Sequence, residues 1–449
     1  MSLNCHLFRA LPLAAAVMMA FATHAQAQSL VEMYDAARGY DAGFISAKAQ
    51  FEANLAKANQ TLGGILPNIA MSVSSAKTDF KSQLRSTPNT VAEKDLETRT
   101  VSATLVQPIY RPAAWAAYKQ GGSLLQQAAA QFEAAEHDLL IRVTQGYFDV
   151  LVGEDNLALL NAQRTAVGEQ LASAKRNFEV GTATITGVRD AQARFDLTNA
   201  QTIAAENDLR IKRLALDLLV GLSDAKPKRL LQINQLIATP KEDVNQWVSQ
   251  AETNSPAIRQ AQLALEVASL EVDKATAGHK PTLDAQMNYV RTENIKGTAI
   301  SDLQTNVFTP SVGVVLNVPL FAGFTTMYRI KETVALETKA RSDLENARRA
   351  TAQATRSAYF GLVSGLSQVK AYEAAEASSQ SALDANKLGY SVGVNINIDV
   401  LNSQSQLYQT KRDLAKARYD VLVTNLKLRQ AAGTLTPADL QPINALLAP

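Results

Sequence analysis

The chain has 449 residues, 47% of them hydrophobic and only 6% aromatic, and its 44 Lys and Arg nearly balance 42 Asp and Glu. A net charge of +2 lacks the footprint of a dedicated nucleic-acid binder, and a single cysteine excludes both a disulfide scaffold and a cysteine-built metal site. The length alone admits two or three ordinary domains, while few aromatics and 14 prolines suit long helices better than a compact mixed core.

Residues 1–27 read as a secretory signal peptide. Arg9 supplies the positive n-region, Leu11 to Ala22 a short apolar run, and Ala25-Gln26-Ala27 the small-x-small cleavage pattern. About a dozen apolar residues are too few for the ~20 of a helical membrane span. Cleavage after Ala27 would remove Cys5, His6 and His24, leaving His137 and His279 as the only histidines. No later stretch approaches ~18 consecutive apolar residues, so membrane insertion would have to be as a β-barrel.

The remainder is a tandem duplication. Ala37 to Pro67 aligns without gaps on Ala251 to Pro281, and Gln107-Pro108-Ile109-Tyr110 matches Val318-Pro319-Leu320-Phe321. Tyr147-Phe148 recurs as Tyr359-Phe360, Phe178-Glu179-Val180-Gly181 as Tyr390-Ser391-Val392-Gly393, and Gly221 as Gly433. These landmarks keep one order at separations of 211–214 residues, the signature of two repeated units. The first repeat spans 28–222 and the second 244–434, with a linker at 223–243 and a C-terminal tail at 435–449.

Each repeat opens with a helical stretch, Ser29–Leu62 or Glu242–Ala277, and continues into a pair of strands. The strands are expected at 68–80 and 96–108 in the first repeat and at 282–293 and 303–318 in the second. Ile69, Met71 and Val73 alternate with Ala70, Ser72 and Ser74, and Leu283, Ala285, Met287 and Tyr289 alternate with Asp284, Gln286 and Asn288. Period-2 runs of about ten residues, apolar on one side and polar on the other, suit a transmembrane barrel strand. A half-buried sheet on soluble helices would alternate in the same way, so the strands alone leave both open.

Long helices follow, at 113–178 and 184–222, then at 326–388 and 396–433. No proline falls between Pro112 and Pro227 or between Pro319 and Pro437, and an interior proline costs ~3 kcal/mol or more. Val400, Leu407, Leu414, Val421 and Leu428 are seven apart, with Val188, Phe195, Thr202, Leu209 and Leu216 as first-repeat counterparts. That spacing predicts left-handed coiled-coil packing. One chain offers four strands, whereas the smallest closed transmembrane barrels have about eight. Open edges carry unpaired backbone groups that hydrocarbon excludes, so several chains would have to pool their strands, with Lys81–Glu93 and Asn294–Asp302 as exposed outer loops.

Two tandem repeats of helix, strand pair and interrupted long helix, joined at the Gln107-Pro108-Ile109-Tyr110 and Val318-Pro319-Leu320-Phe321 motifs, resemble the TolC-like outer-membrane efflux and secretion channels. The likeness extends over roughly Ser29 to Leu440. It implies a mainly α fold with membrane β: a homotrimer whose twelve strands form one barrel in the outer membrane of a Gram-negative bacterium, above a periplasmic α-helical tunnel. It also implies a passive conduit without cofactor, partnered by a periplasmic adaptor (membrane fusion) protein and an inner-membrane transporter. Tyr110-Arg111-Pro112 and Thr182-Ala183-Thr184-Ile185-Thr186 look closest to the members that serve ABC-transporter-driven type I protein secretion. A multidrug or small-molecule efflux channel of the same architecture is the alternative.

The resemblance also places a periplasmic gate. Gly181 and Gly393 match the helix turns at the tunnel tip, where an adaptor makes contact. Asp399 matches an acidic gate position, which threefold symmetry would make a carboxylate ring able to bind a divalent cation. Tyr390 matches an aromatic that holds the tip closed. Asn395 stands where a basic residue is common, and Gly187 and Asn402 where aspartates are common. The expectation is a less acidic constriction held by neutral hydrogen bonds, such as Thr186 to Asn395 or Tyr390. Catalysis has no comparable support: Glu136-His137-Asp138 are consecutive on a helix and point in different directions, and no phosphate-binding loop, metal-spaced histidine pair or nucleophile motif is present. A soluble periplasmic coiled-coil adaptor would share the heptads but has no use for duplicated strand pairs.

Overall fold

The computed structural model describes residues 27–83, 91–231 and 242–448, without the side chains of residues 91 and 92. The expected signal peptide, except Ala27, therefore lies outside the described residues, as do residues 232–241 of the expected linker and the middle of the Lys81–Glu93 loop.

Each repeat begins with two helices where the sequence suggested one. Helix α1 (Leu30–Tyr40) starts with a capping box in which Ser29 Oγ accepts from Glu32 N–H at 3.3 Å and the Glu32 carboxylate accepts from Ser29 N–H at 2.8 Å. The chain leaves the helix at Asp41 (φ −59°, ψ 113°), and α2 (Ala42–Gln60) follows. Asp41 drives this break, because its carboxylate accepts from Phe44 N–H at 2.8 Å and pairs with Arg142 at 2.9 Å. The second repeat breaks in the corresponding place, between α3 (Val244–Asn254) and α4 (Pro256–Thr276), where Pro256 disfavours helical geometry at Ser255.

Strands β1 (Asn68–Gln83) and β2 (Val91–Tyr110) form the first hairpin, and β3 (Thr282–Asn294) and β4 (Thr305–Asn317) the second. The first hairpin reaches beyond the expected 68–80 and 96–108 into the segment read as a loop, where Lys81 and Glu93 pair across the ladder at 2.7 Å. The order is β1-β2-β3-β4, antiparallel throughout, with the two repeats joined along β2 and β3 and a bulge between Pro108 and Tyr110. Register places Ile69, Leu105, Met287 and Val312 side by side on one face, with Met71, Ala103, Tyr289 and Pro310 on the next rung. The other face carries Ser72, Ser102, Val290 and Thr309, then Ser74, Thr100, Thr292 and Val307. One surface of the sheet is thus an apolar band and the other a polar one, and among the described residues nothing covers the band: Met71 is 71% exposed and Val312 81%.

The remaining helices are α5 (Pro112–Glu179), α6 (Ile185–Val220), α7 (Thr325–Ser391), α8 (Asn397–Ala431) and the short α9 (Leu440–Asn444). At 1.5 Å per residue, α5 with 68 residues and α7 with 67 are each about 100 Å long. Among the described residues no helix is long and apolar enough to cross a membrane.

Contacts divide the chain into two units. One contains the sheet and the adjoining helix segments (Ala49–Phe132, Pro256–Arg349), including a bidentate ion pair of Arg111 with Asp284 at 2.7 and 2.8 Å beside the β2–α5 joint. The other (residues through Lys48, Glu133–Ser255, Ala350–Pro449) holds the helical core. There Val400, Leu407, Leu414, Val421 and Leu428 are all buried, as are Thr202, Leu209 and Leu216. Tyr147 closes the same unit, donating from its hydroxyl to the carbonyls of Lys228 at 2.9 Å and Gln28 at 3.2 Å.

Candidate functional site

The α5–α6 and α7–α8 turns share one backbone solution. Gly181 (φ +78°) donates its N–H to Phe178 O at 3.0 Å, and Thr182 N–H reaches Asn177 O at 2.8 Å. Gly393 (φ +81°) donates to Tyr390 O at 3.2 Å, and Val394 N–H reaches Gly389 O at 2.8 Å. Both are Schellman caps, which require a left-handed residue that a β-carbon would strain. The next helix is capped differently in each repeat. Thr184 Oγ1 accepts from Gly187 N–H at 3.4 Å to start α6, while the Asp399 carboxylate accepts from Ile396 N–H at 3.2 Å to start α8. An acidic residue is favourable there because the helix N-terminus carries partial positive charge.

The two turns face each other across a cleft of about 510 Å³ whose walls include Asn177, Thr184, Asp190, Tyr390, Asn395 and Ile398. Behind it, Val167, Leu171, Ala174, Ala191 and Leu401 form an apolar cluster, and Leu383, Val400 and Leu407 form another against Tyr390. Neutral amides stitch the repeats together. Asn177 Nδ2 donates to Tyr390 Oη at 3.1 Å, Gln170 Nε2 donates to Asn397 Oδ1, and Asn397 Nδ2 donates to the Gly187 carbonyl at 3.3 Å.

The expected partners are rearranged. Within the protomer Thr186 reaches neither Asn395 nor Tyr390. Its Oγ1 lies 2.7 Å from Thr184 Oγ1, and the partner of Tyr390 is Asn177. Asn395 turns back within its own repeat, donating to Asn386 Oδ1 at 2.7 Å. Asn402 accepts from the Arg194 guanidinium at 2.7 Å, so a cation does cross between the repeats, from a residue the motif comparison passed over. Asp190 was passed over too, although it lies 212 positions before Asn402, just as Gly187 lies 212 before Asp399. Each repeat therefore carries one carboxylate in this motif, at alternate positions, and the repeat offset was the signal that could have found the second.

Farther along the helices, Tyr419 Oη donates to Asp155 Oδ2 at 2.7 Å, and Glu154 pairs with Arg213 at 2.7 Å and Arg229 at 3.6 Å. Burial raises the Asp155 carboxyl above the ordinary range, more than the Tyr419 hydrogen bond lowers it. The Glu136-His137-Asp138 run does not converge. Glu136 lies 3.4 Å from Tyr34 Oη and from Arg38, Asp138 pairs with Arg142 at 2.8 Å, and His137 is buried. Among the described residues no cluster of His, Cys, Asp or Glu is placed to hold a metal ion.

One long helical hairpin joined to paired strands, twice over, matches one family description: the profile of the outer membrane efflux proteins covers residues 33–222 and 247–434. The chain belongs to this family. Among its relatives, the outer membrane protein TolC of Vibrio cholerae is 31% identical over 93% of this chain and 94% of its own. The proteases secretion protein PrtF of Dickeya chrysanthemi is 27% identical over 94% and 91%. The fold also superimposes on solved channels. The Campylobacter jejuni CmeC outer membrane channel gives a TM-score of 0.78 at 15% identity, covering 93% of this chain and 90% of its own. VceC of Vibrio cholerae gives 0.77 at 16%, covering 90% and 96%. As an outer membrane efflux protein, the chain is a channel of the Gram-negative outer membrane and not an enzyme.

Proposed function

We propose that three copies of this chain close a twelve-stranded barrel in the outer membrane, continued by a periplasmic helical tunnel that conducts exported proteins in type I secretion. The observation that carries this reading is the sheet itself. In one chain β1 and β4 are its outer strands, and its apolar face is uncovered. Unpaired N–H and C=O groups in hydrocarbon cost several kcal/mol each, so the edges need partners of the same kind. Three sheets of four strands supply them and leave no edge.

In this reading residues 1–27 direct export and are removed. An ABC-type inner-membrane transporter supplies the energy, and a periplasmic adaptor docks around the Gly181 and Gly393 turns. Relatives named for protease secretion, PrtF and the alkaline protease secretion protein AprF of Pseudomonas aeruginosa, support the type I assignment at 27% and 29% identity. Tyr390, Asn395, Asn402 and Thr186 set the packing of the tip. Asp399 and Asp190 give its aperture six carboxylates in a trimer, three from each repeat.

The only cysteine is Cys5, so engineered thiols report without background. Ser72→Cys or Ser74→Cys on β1, paired in turn with Val307→Cys, Thr309→Cys or Ser311→Cys on β4, is expected to give disulfide-linked trimers in isolated outer membranes. Monomers throughout the panel would sink the barrel. Single-channel recording tests the gate: Asp399→Ala with Asp190→Asn should lose cation selectivity and block by divalent ions, and unchanged selectivity would remove both residues from that role.

A further inference from the structure

The apolar face of the sheet does not end in neutral polar residues. Counting from the helix joints toward the hairpin tips, its rungs read Leu283 with Leu316, Ala285 with Val314, Met287 with Val312, Tyr289 with Pro310, and Arg291 with Phe308 beside Val73 and Val101. The next rung is Ser75, Arg99, Glu293 and Asn306, and Lys77 follows opposite Glu97. Register puts these charges on the face that the barrel reading turns to lipid; the opposite face carries the uncharged Ser74, Thr100, Thr292 and Val307 at the same height. Eight residues separate Leu283 from Arg291. At ~3.3 Å each and a tilt of 35–45°, they span about 20 Å along the membrane normal, close to the ~25 Å apolar band of such barrels. Arg291 therefore sits where hydrocarbon gives way to headgroups on the side of the hairpin tips, away from the helices.

The arginines are set in place. The Arg291 guanidinium lies 5.4 Å from the centroid of the Phe308 ring, donates to Asn306 Oδ1 at 3.4 Å, and pairs with Glu293 at 2.5 Å. Arg99 approaches the same carboxylate at 3.9 Å and stays 55% exposed. Two guanidiniums share one carboxylate, which leaves a net positive charge and most of the Arg99 donors directed outward. A planar guanidinium presents paired N–H groups that match phosphate oxygens. Phe308 and Asn306 hold the orientation of Arg291, while Glu293 competes for the guanidiniums without neutralising the pair.

We propose that Arg99 and Arg291 bind the phosphate of a lipid headgroup in the leaflet at the hairpin tips, once in each protomer of the barrel. The inference rests on the barrel reading above, which fixes the orientation of this face. Native mass spectrometry of the full chain in detergent, mixed with a bis-phosphorylated glucosamine lipid, its dephosphorylated counterpart or phosphatidylglycerol, tests it. The phosphorylated glucosamine lipid is expected to be retained about thirtyfold better than the dephosphorylated one, since the two arginines at a membrane surface contribute about 1 kcal/mol each. Phosphatidylglycerol, which also carries a phosphate, should likewise be retained better than the dephosphorylated lipid. The R99Q/R291Q double variant should lose the preference, whereas E293Q, which removes the competing carboxylate but keeps the packing, should strengthen it about threefold.

Equal retention of phosphorylated and dephosphorylated lipid, a preference that survives R99Q/R291Q, or weaker binding by E293Q would each overturn the site. Retention of phosphatidylglycerol no better than that of the dephosphorylated lipid would overturn it as well. Conductance of the same samples in phosphatidylcholine bilayers separates the two levels. Wild-type protein that inserts and conducts without lipid preference sinks the headgroup site alone. Protein that never inserts sinks the barrel, and the site with it.

Discussion

Gly433 follows α8 in the left-handed region, with φ +70°. A β-carbon there would meet main chain rather than a movable side chain, 2.5 Å from the Asn254 carbonyl and 2.7 Å from the Ser255 nitrogen. The left-handed backbone costs an alanine roughly 1–2 kcal/mol, and forcing a methyl into fixed main chain adds about 1–3 kcal/mol, so Gly433→Ala should lose about 3–4 kcal/mol. Gly393→Ala is the control. Its φ of +81° is equally unsuited to alanine, but no described atom lies within 4 Å of the new carbon. That loss should stay near 1 kcal/mol, after the gain from a stiffer unfolded chain. With an unfolding entropy of about 0.9 kcal/mol/K for a chain of this length, the expected falls in Tm are about 3–4 °C and about 1 °C. Circular dichroism at 222 nm during heating of the purified protein measures both. Equal shifts would refute the argument that the break between α3 and α4 is clamped by the end of α8.

Two further outcomes follow from the helical core. Burial raises the Asp155 carboxyl, so its ionisation costs the folded state stability. The penalty is complete above the folded pKa and disappears below the unfolded value of about 4. Asp155→Asn, which can still accept from Tyr419, should therefore raise Tm at pH 7.5 and lose that advantage as pH falls toward 4. A constant difference across that range would rule out ionisation as the cause. Leu407, 3% exposed between Leu383 and Val400, should lose about 2–5 kcal/mol on truncation to alanine. Because that seam also packs on Tyr390, cells carrying Leu407→Ala are expected to admit large antibiotics that the intact outer membrane excludes, as measured by growth inhibition. Unaltered sensitivity with a lowered Tm would confine the residue to stability.

Much of the architecture could be read from the chain because its signals are local or periodic. Seven-residue spacing from Val400 to Leu428 marks one side of one helix, and alternation at Ile69, Met71 and Val73 marks one side of one strand. The two copies reinforced each other, since a weak motif seen twice at a fixed offset is a strong one. Three features resisted. The break at Asp41 has no proline to announce it and depends on an aspartate finding both Phe44 N–H and Arg142, a residue 101 positions away. The extension of β1 and β2 past Phe80 runs through polar residues whose pairing, Lys81 with Glu93, carries no apolar pattern. The partners at the helix turns, Asn177 with Tyr390 and Arg194 with Asn402, depend on how two hairpins more than 200 residues apart are rotated against each other. A motif gives the position of a side chain but not its azimuth, so Thr186 was matched to the wrong neighbours.

The duplication has a consequence for how such a protein changes over time. The helical turns exist in two versions that need not stay alike, and here they have divided the labour. One repeat keeps its carboxylate at Asp190 and glycine at 187, while the other keeps Asp399 and asparagine at 402. In a threefold assembly any single substitution alters half of the equivalent positions and leaves the other half as an untouched template. In the proposed trimer the aperture would therefore drift in charge by three at a time, with the unaltered copies still holding its shape. A single-copy channel, in which every subunit position changes at once, has no such intermediate step.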